Sequence, residues 1–184
     1  MLRGSNVELR SLKDFPDIPD IEEHGKTFFE NALLKAKTVS RITGDTVLAD
    51  DSGLEVDALG GAPGIYSSRY AGPDATDEKN ILKLIGHLKD VAPEKRNAAF
   101  RCVLVLFRPD GTYETFEGRW PGRIILELRG KGGFGYDPVF EDPKIGLTAA
   151  ELSPDVKNAV SHRGQAFAKF REWLTRTEVK KIRS

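Results

Sequence analysis

The stretch from residue 98 to residue 128 constrains the fold most, because it reads as consecutive strands with no helix between them. Residues 98–107 are almost continuously apolar, which is typical of a long buried strand. A Pro-Asp-Gly turn signal follows at residues 109–111, and strand-like residues then continue to residue 128 with a break at Pro121. We therefore predict a β-rich lobe at residues 98–128.

Helical segments lie on both sides of this lobe. Thr27 and Glu30 have the spacing of a capping box, which predicts that a helix begins there, and Gly44 is a natural stop. Further helices are predicted at residues 76–89, 154–160 and 163–174.

Two more strands are predicted outside the lobe. Residues 7–12 alternate apolar and polar side chains, and residues 46–50 form a short apolar strand. Residues 51–72 are expected to be irregular. The sum is an α/β fold with a largely mixed sheet, in a single domain covering residues 1–184.

Charge and composition narrow the class of partner. The 184 residues include 28 basic and 28 acidic ones, so the formal net charge is zero. We therefore expect that neither nucleic acid nor a membrane is a partner. No segment reaches the about 20 apolar residues of a membrane span, and no signal-peptide core is visible, so a cytoplasmic location is expected. The one cysteine, Cys102, lies in the apolar run and is expected to be buried and inert.

The pair Asp50 and Asp51, followed by Ser52 and Gly53, is the first candidate for chemistry. The pair is predicted at the end of a strand, where open α/β sheets bind ligands. Carboxylate oxygens suit Mg²⁺, which shares its coordination shell with phosphate and water. Neighbouring side chains of an extended chain point to opposite faces, so we expect only one of the two to reach a ligand. A simple turn is the alternative.

A glycine-rich loop at residues 130–135 is the second candidate. Its glycines allow backbone N–H groups to approach a phosphate or a base. Phe134 and Tyr136 offer aromatic faces for stacking on a purine, and Asp137 offers an acceptor at a base edge. A mobile hairpin is the alternative, and it accounts for the glycines but not for the aromatic residues.

Charged residues in two further segments complete the inventory. Glu22 and Glu23 precede the first helix, where they either complete a metal shell or merely favour the helix N-terminus. Lys157 can hold a triphosphate or can be a solvated surface residue, and His162 and Arg163 can donate hydrogen bonds to a carbonyl on a base. These segments have the composition of a nucleotide–Mg²⁺ site without a Walker-type loop or a dinucleotide-binding fingerprint.

At these motifs the sequence resembles the inosine/xanthosine triphosphate pyrophosphatase family. The matching segments follow one another along essentially the whole chain: Thr27-Phe-x-Glu-Asn31-Ala-x-x-Lys35-Ala36, Ala49-Asp-Asp-Ser-Gly-Leu54, Leu59-Gly-Gly-Ala-Pro-Gly-Ile65-Tyr-Ser-x-Arg69-Tyr70, Gly132-Gly-Phe-Gly-Tyr-Asp-Pro138 and Ser161-His-Arg-Gly164. Several of these motifs are long and specific, so agreement by chance is remote.

The resemblance implies a fold and a reaction. The fold is an elongated mixed sheet flanked by helices, with an active-site groove between two lobes, and members are typically homodimers. The reaction is the Mg²⁺-dependent hydrolysis of inosine, deoxyinosine or xanthosine triphosphate to the monophosphate and pyrophosphate, which removes miscoding bases. Two rivals remain open: a pyrophosphatase for other modified nucleotides, as in the Maf group, and a non-catalytic nucleotide-binding protein.

The resemblance also implies roles for single residues. Asp51 takes the position of the proton acceptor and of a metal ligand, Glu22 that of a second metal ligand, and Lys35 that of a basic residue facing the phosphates. The substrate-binding positions are Ser52, Phe134, Gly135, Tyr136, Asp137, Lys157, His162 and Arg163. We expect His162 and Arg163 to donate to the purine 6-carbonyl, where adenine presents an amino donor instead.

One part of the family pattern has no match. The pattern opens with a strand and a Thr/Ser-x-Asn-x-x-Lys turn that binds the triphosphate, whereas residues 7–12 match the second strand. Ser5-Asn6 is not followed by a lysine at the required spacing. We therefore expect this chain to lack one strand of the sheet and one phosphate-binding element.

Overall fold

Five strands form one sheet in the computed structural model, which describes residues 8–182 and, in the last helix, side chains up to residue 177. The strands lie side by side in chain order: β1 (Val47–Val56), β2 (Asn97–Phe107), β3 (Tyr113–Ile124), β4 (Phe140–Asp142) and β5 (Leu147–Thr148). The predicted α/β class is confirmed. All four pairings of the described strands are antiparallel rather than mixed, because each strand pairs with the next one along the chain.

The described chain contains four α-helices at the predicted places: α1 (Phe28–Thr43), α2 (Asp77–Leu88), α3 (Pro154–Val160) and α4 (His162–Ile182). The Thr27 side chain caps α1, and the helix ends at Gly44, whose φ of 72° is the left-handed conformation that favours glycine. α4 continues well beyond the predicted end at residue 174. Within the part of the chain that is described, no helix has the length and apolar character needed to cross a bilayer.

The side chains of β2 alternate between two layers of helix. α1 covers one face of the strand and packs against Val103, Val105 and Phe107. α4 covers the opposite face and packs against Cys102, Leu104 and Leu106. Because both faces are buried, the apolar run in β2 is continuous. Burial raises the pKa of the Cys102 thiol to about 11, as expected of an inert cysteine.

The strand predicted at residues 7–12 is absent where the structure describes this segment. Val7 lies outside the described residues, residues 8–11 have no regular structure, and Leu12–Asp14 forms a single 3₁₀ turn. The Leu9 side chain is 68% exposed. The alternating pattern therefore has no buried face here, and burial of one face is what specifies the register of a strand.

β1 is longer than predicted. It continues past Asp50 to Val56, so the two aspartates lie in the middle of a strand rather than at its end. Gly53 allows this continuation, because a Cβ at this position would collide with the carbonyl oxygen of Gly64. The predicted irregular segment accordingly begins only after the strand.

β3 runs through Pro121 without the predicted break and ends at Ile124 rather than at residue 128. In the described sheet β4 pairs with Arg123 and Ile124, so β3 has only β2 as a neighbour beside Pro121. A proline is tolerated at such an edge, where its missing N–H breaks no ladder bond.

Candidate active site

β1 sends its two consecutive carboxylates to opposite faces of the sheet, as predicted. Asp51 is opposite Val103 and lies on the α1 side, and Asp50 is opposite Leu104 and lies on the α4 side. Asp51 is 8% exposed, whereas the side chain of Asp50 is 41% exposed. Each carboxylate therefore has its own partners and its own degree of hydration.

Two side chains of α1 hold the Asp51 carboxylate. Asn31 donates from Nδ2 to Oδ2 of Asp51 at 3.2 Å, and Lys35 donates from Nζ to Oδ1 at 3.3 Å. Asn31 and Lys35 are four residues apart and so share one face of the helix. A single helix therefore orients both oxygens of the carboxylate.

The charges around Asp51 shift its pKa and that of Lys35. Burial raises the pKa of Asp51, and the charge of Lys35 and the hydrogen bond from Asn31 oppose this only in part. Burial would lower the pKa of Lys35, but the hydrogen bond to Glu23 and the charge of Asp51 leave it raised. A cation thus stands beside a carboxylate whose pKa lies above its ordinary value.

Lys35 also reaches the segment that precedes α1. Its Nζ lies 2.7 Å from Oε1 of Glu23, and Nη1 of Arg69 lies 3.4 Å from Oε2 of the same carboxylate. Burial would raise the pKa of Glu23, but these two cations hold it below its ordinary value. Glu22, the predicted second metal ligand, is exposed, and its carboxylate makes no hydrogen bond or ion pair with the described residues.

The oxygen atoms near Asp51 suit a hard cation that keeps most of its shell for phosphate and water. Within residues 8–182 no group of three or more His, Cys, Asp and Glu side chains forms a metal cage. Mg²⁺ needs no such cage, because one or two carboxylates together with substrate phosphates bind it. Asp51 and the adjacent acidic segment supply carboxylates of this kind.

On the other face of β1, Asp50 pairs with the first turn of α4. Nη2 of Arg163 lies 3.2 Å from Oδ2 of Asp50, and Ser52 donates its hydroxyl to the same oxygen at 3.2 Å. The guanidinium of Arg163 and the ammonium of Lys157 each lie 5.3 Å from the centroid of the Phe134 ring. Phe134 is 62% exposed, so solvent reaches its ring beside the two cations and a planar group could stack on it.

Asp137 holds the glycine-rich loop in place. Its carboxylate accepts the backbone N–H of Phe134 at 2.8 Å and pairs with the ammonium of Lys157. Gly133 has a φ of 77°, and a Cβ there would collide with the Asp137 carboxylate, so the close turn requires glycine. Gly135 donates its backbone N–H to Asp77 of α2 at 2.6 Å, which ties the loop to a second element.

Tyr136 belongs to the core, which corrects the prediction that its ring stacks on a base. The residue is 4% exposed and packs among buried side chains that include Leu84 and Phe140. Its hydroxyl donates to the carbonyl oxygen of Ser67 at 2.9 Å. The ring therefore anchors the loop to the core, and Phe134 is the aromatic residue of this loop that solvent reaches.

His162 is buried at the start of α4. It is 6% exposed and stacks on Phe100 with 4.8 Å between ring centroids. Burial lowers the pKa of His162 to about 3, and the charges of Arg163 and Lys157 act in the same direction. The imidazole is therefore neutral near pH 7, with one donor and one acceptor nitrogen. Its Nδ1 has no hydrogen-bond partner among the described residues.

The structure gathers most of the predicted residues into two groups that meet at β1. One group joins Asp51 to Lys35, and the other contains Ser52, Phe134, Asp137, Lys157 and Arg163. Gly135 and His162 adjoin the second group along the chain, whereas Glu22 is exposed and takes part in none of these contacts.

Sequence reasoning missed three features of this arrangement. The first is that Asn31 and Lys35 together bind Asp51. Their spacing was a usable signal for it, because positions four apart share a helix face. The ion pair of Glu23 with Lys35 had no signal that distinguished Glu23 from its neighbour. Asp50 and Arg163 are 113 residues apart, so no local pattern links them.

Known proteins resemble this chain over nearly its whole length. The model of the Ham1 family matches residues 1–173. A dITP/XTP pyrophosphatase of Geobacter sulfurreducens is 53% identical over 174 residues, which are 95% of this chain and 87% of the relative. A dITP/XTP pyrophosphatase of Photorhabdus laumondii is 56% identical over 151 residues, which are 81% of this chain and 77% of the relative.

The likeness extends to the fold. The solved structure of a HAM1 protein from Coxiella burnetii superposes with a TM-score of 0.90 at 45% identity, over 95% of this chain and 89% of that chain. The resemblance carried by the motifs is thereby confirmed. On sequence and fold together, this chain belongs to the Ham1 family.

Proposed function

We propose that this protein hydrolyses the triphosphates of non-standard purines, namely ITP, dITP and XTP, to the monophosphate and pyrophosphate. The observation that carries this conclusion is the 53% identity, over 95% of the chain, to a dITP/XTP pyrophosphatase. Removal of such nucleotides keeps miscoding bases out of DNA and RNA. The geometry at β1 supports the proposal, because a carboxylate with a cation on one face adjoins an exposed ring with two cations on the other.

Asp51 is the proton acceptor in this proposal. The oxygen of a water molecule attacks the α-phosphorus, the bond from that phosphorus to the α–β bridging oxygen breaks, and pyrophosphate leaves. The water gives its proton to the Asp51 carboxylate, whose pKa burial raises. Lys35 stays charged beside it and offsets negative charge on the phosphates.

Pyrophosphatases of this family are typically metal-dependent. We propose Mg²⁺ as the ion, with Asp51 and Glu22 as its protein ligands. Glu22 is exposed and its carboxylate has no partner among the described residues, whereas Lys35 and Arg69 hold Glu23. At Asp51 the ion would share the carboxylate with Asn31 and Lys35. When bound, the ion supplies positive charge to the phosphate oxygens.

Recognition of the base is assigned to the residues around Phe134. Its exposed ring is the stacking face, and His162 and Arg163 donate to the 6-carbonyl of hypoxanthine or xanthine. Adenine would bring its amino donor against these donors, which leaves polar groups unpaired and costs rate. The remaining substrate contacts are assigned to Ser52, Gly135, the backbone of Tyr136, Asp137 and Lys157.

Pyrophosphate release from a panel of nucleotides tests the proposal. With Mg²⁺ present, kcat/KM for dITP and XTP is expected to exceed that for ATP by about 10²-fold or more. Faster turnover of modified pyrimidine triphosphates would instead favour a pyrophosphatase for other modified nucleotides. Nucleotide binding without pyrophosphate release would favour a non-catalytic nucleotide-binding protein.

The homodimer and the single domain stay predictions. We propose that residues 1–184 form one domain, with the active-site groove between two lobes, and that two copies associate. Light scattering is expected to give twice the chain mass of 20.4 kDa. Calorimetry is expected to show one cooperative unfolding transition, and two separate transitions would argue for two domains.

A further inference from the structure

Two helices of this protein begin with the same local arrangement around a buried asparagine. In α1 the capping residue Thr27 is followed four positions later by Asn31, and in α2 Thr76 is followed four positions later by Asn80. Asn31 is 0% exposed and Asn80 is 3% exposed. A buried amide without partners costs free energy, so the hydrogen bonds of each asparagine indicate what it holds together.

Asn80 anchors a loop. Its Oδ1 accepts the backbone N–H of Ala71 at 2.7 Å, and its Nδ2 donates to the carbonyl oxygen of Ser68 at 3.0 Å. Both partners are backbone groups of the loop that precedes α2. Asn80 therefore serves the fold, and the described residues give it no charged partner.

Asn31 uses the same amide differently. Its Oδ1 accepts the backbone N–H of Gly25 at 2.8 Å, which anchors the loop before α1, but its Nδ2 donates to the carboxylate of Asp51 at 3.2 Å. One buried side chain thus joins a loop to a charged group on a different element, 20 residues away in the sequence. Because its amide is planar and fully buried, the separation of these two partners is held within narrow limits.

The loop that Asn31 anchors is the acidic segment containing Glu22 and Glu23. A Cβ on Gly25 would lie 2.5 Å from Oδ1 of Asn31 and 2.8 Å from Cβ of Glu30, so glycine is what lets the loop come this close to α1. The next residue is held as well, because the Glu30 carboxylate accepts the backbone N–H of Lys26 at 2.6 Å. The position of the acidic segment therefore depends on the first turns of α1.

We propose that Asn31 is a positioning residue that holds the Asp51 carboxylate and the Glu22-Glu23 segment at a set separation, so that both face one divalent cation. The inference rests on the proposed function, in which Asp51 and Glu22 bind Mg²⁺. Groups that orient metal ligands in this way typically contribute about 10–100-fold to metal affinity. Lys35 links Asp51 to Glu23 as well, but through a flexible side chain that imposes less geometry.

Three variants of the full chain separate positioning from anchoring. Asn31→Ala removes both hydrogen bonds of the amide, and Gly25→Ala disturbs the same amide from the side of the loop, because the added Cβ would collide with Oδ1 of Asn31. Asn80→Ala is the matched control, because it removes the same group at the same position of α2. For each variant we would measure the Kd of Mn²⁺ by calorimetric titration, kcat and KM for dITP, and Tm.

Asn31→Ala is expected to raise the Kd of Mn²⁺ by about 10–100-fold and to lower kcat by a similar factor, and Gly25→Ala by about tenfold. KM for dITP is expected to change less than kcat, because the base and its stacking residue are untouched. Asn80→Ala is expected to lower Tm while it leaves the Kd of Mn²⁺ and kcat within about twofold of the wild type, because neither of its hydrogen bonds reaches Asp51 or Gly25. Arg69, which lies in the loop that Asn80 anchors, contacts Glu23 only at 3.4 Å, and Lys35 holds that carboxylate at 2.7 Å.

If Asn31→Ala does not fold, the Gly25→Ala variant decides the question by its Kd for Mn²⁺. Unchanged Mn²⁺ affinity in the Asn31 and Gly25 variants, with a loss of Tm like that of Asn80→Ala, would overturn the inference and make Asn31 a loop anchor only. Failure of the proposed function is distinguishable, because the wild-type chain would then release no pyrophosphate from dITP or XTP whatever the Mn²⁺ affinity of the variants. Wild-type Mn²⁺ affinity in Asp51→Asn would instead remove the metal ligand on which this inference rests and would overturn it.

Discussion

The two faces of β1 place neighbouring carboxylates in contrasting surroundings. Asp51 is buried under α1 and accepts hydrogen bonds from Asn31 and Lys35, whereas Asp50 is partly hydrated and pairs with Arg163 at the start of α4. Burial raises the pKa of Asp51. A step of one residue along a strand therefore changes the hydration and the partners of the same chemical group.

This difference suggests a division of labour in the proposed enzyme. A buried carboxylate with a raised pKa suits the role of proton acceptor. An exposed ion pair contributes little to stability, so Asp50 acts mainly by setting where the Arg163 guanidinium stands beside Phe134. In the proposed function, Asp51 and Lys35 on the α1 face thus act on the phosphates, and Phe134 and Arg163 on the α4 side recognise the base.

The sharpest test of the comparison exchanges each carboxylate for its amide. Asp51→Asn is expected to lower kcat for dITP by about 10²–10⁴-fold, because it removes the proton acceptor and a metal-binding charge. Asp50→Asn makes the same chemical change on the other face and is expected to alter kcat by no more than about fivefold, since exposed ion pairs are worth about 0–1 kcal/mol. Pyrophosphate release and Tm are measured for both variants. Near wild-type turnover in Asp51→Asn would remove Asp51 from the mechanism.

The next largest effect concerns discrimination between bases on the α4 face. Arg163→Ala is expected to lower kcat/KM for dITP by about 10–100-fold and to change that for ATP less, because a charged donor to the 6-carbonyl is worth about 1.5–3 kcal/mol. The ratio of the two kcat/KM values therefore narrows. Arg108→Ala is the control, since Arg108 pairs with Glu114 at the end of β2 remote from the loop. An unchanged dITP to ATP ratio in Arg163→Ala would place discrimination elsewhere.

Removal of the stacking ring is expected to act on all purines alike. Phe134→Ala should weaken the binding of dITP, XTP and ATP by about 1–3 kcal/mol each, because stacking is nearly independent of base identity. Nucleotide affinity is measured by competition binding. Tyr136→Phe is the control, since it removes the hydroxyl bond to Ser67 and is expected to lower Tm. A loss confined to inosine nucleotides would show that Phe134 reads the base edge.

The smallest expected effect is the pH dependence of stability that comes from His162, which is buried on the α4 face. Its pKa is about 3 in the folded chain and about 6.5 when unfolded, so between these pH values the unfolded chain binds more protons. Stability from this residue is therefore present above pH 6.5 and is lost as pH falls, by about 1 kcal/mol between pH 7 and 5.5. Over this range Tm should fall more steeply in the wild type than in His162→Gln. Parallel Tm curves for the two proteins would contradict the neutral, buried imidazole.

Much of the fold is decided by short stretches of sequence. Thr27 and Gly44 mark the ends of α1, because capping bonds and the left-handed turn are satisfied within a few residues. The apolar run at residues 98–107 sufficed to predict β2, since a strand that is buried on both faces is apolar at nearly every position. The motifs with Asp51, Phe134 and Arg163 sufficed to predict the family, and the roles of these residues stay predictions.

Other features were settled only by what packs across the sheet. β1 continues beyond Asp50 because residues of β2, some 50 positions later, supply its ladder partners. The strand pattern at residues 7–12 has the right alternation but gains no buried face in the described part, and Tyr136 looks like a stacking residue but is covered by the core. Local sequence determines which backbone conformations and side-chain types are available. Burial and charge pairing depend on distant residues, so only the tertiary structure decided that Asp51 faces Asn31 and Lys35 while Asp50 faces Arg163.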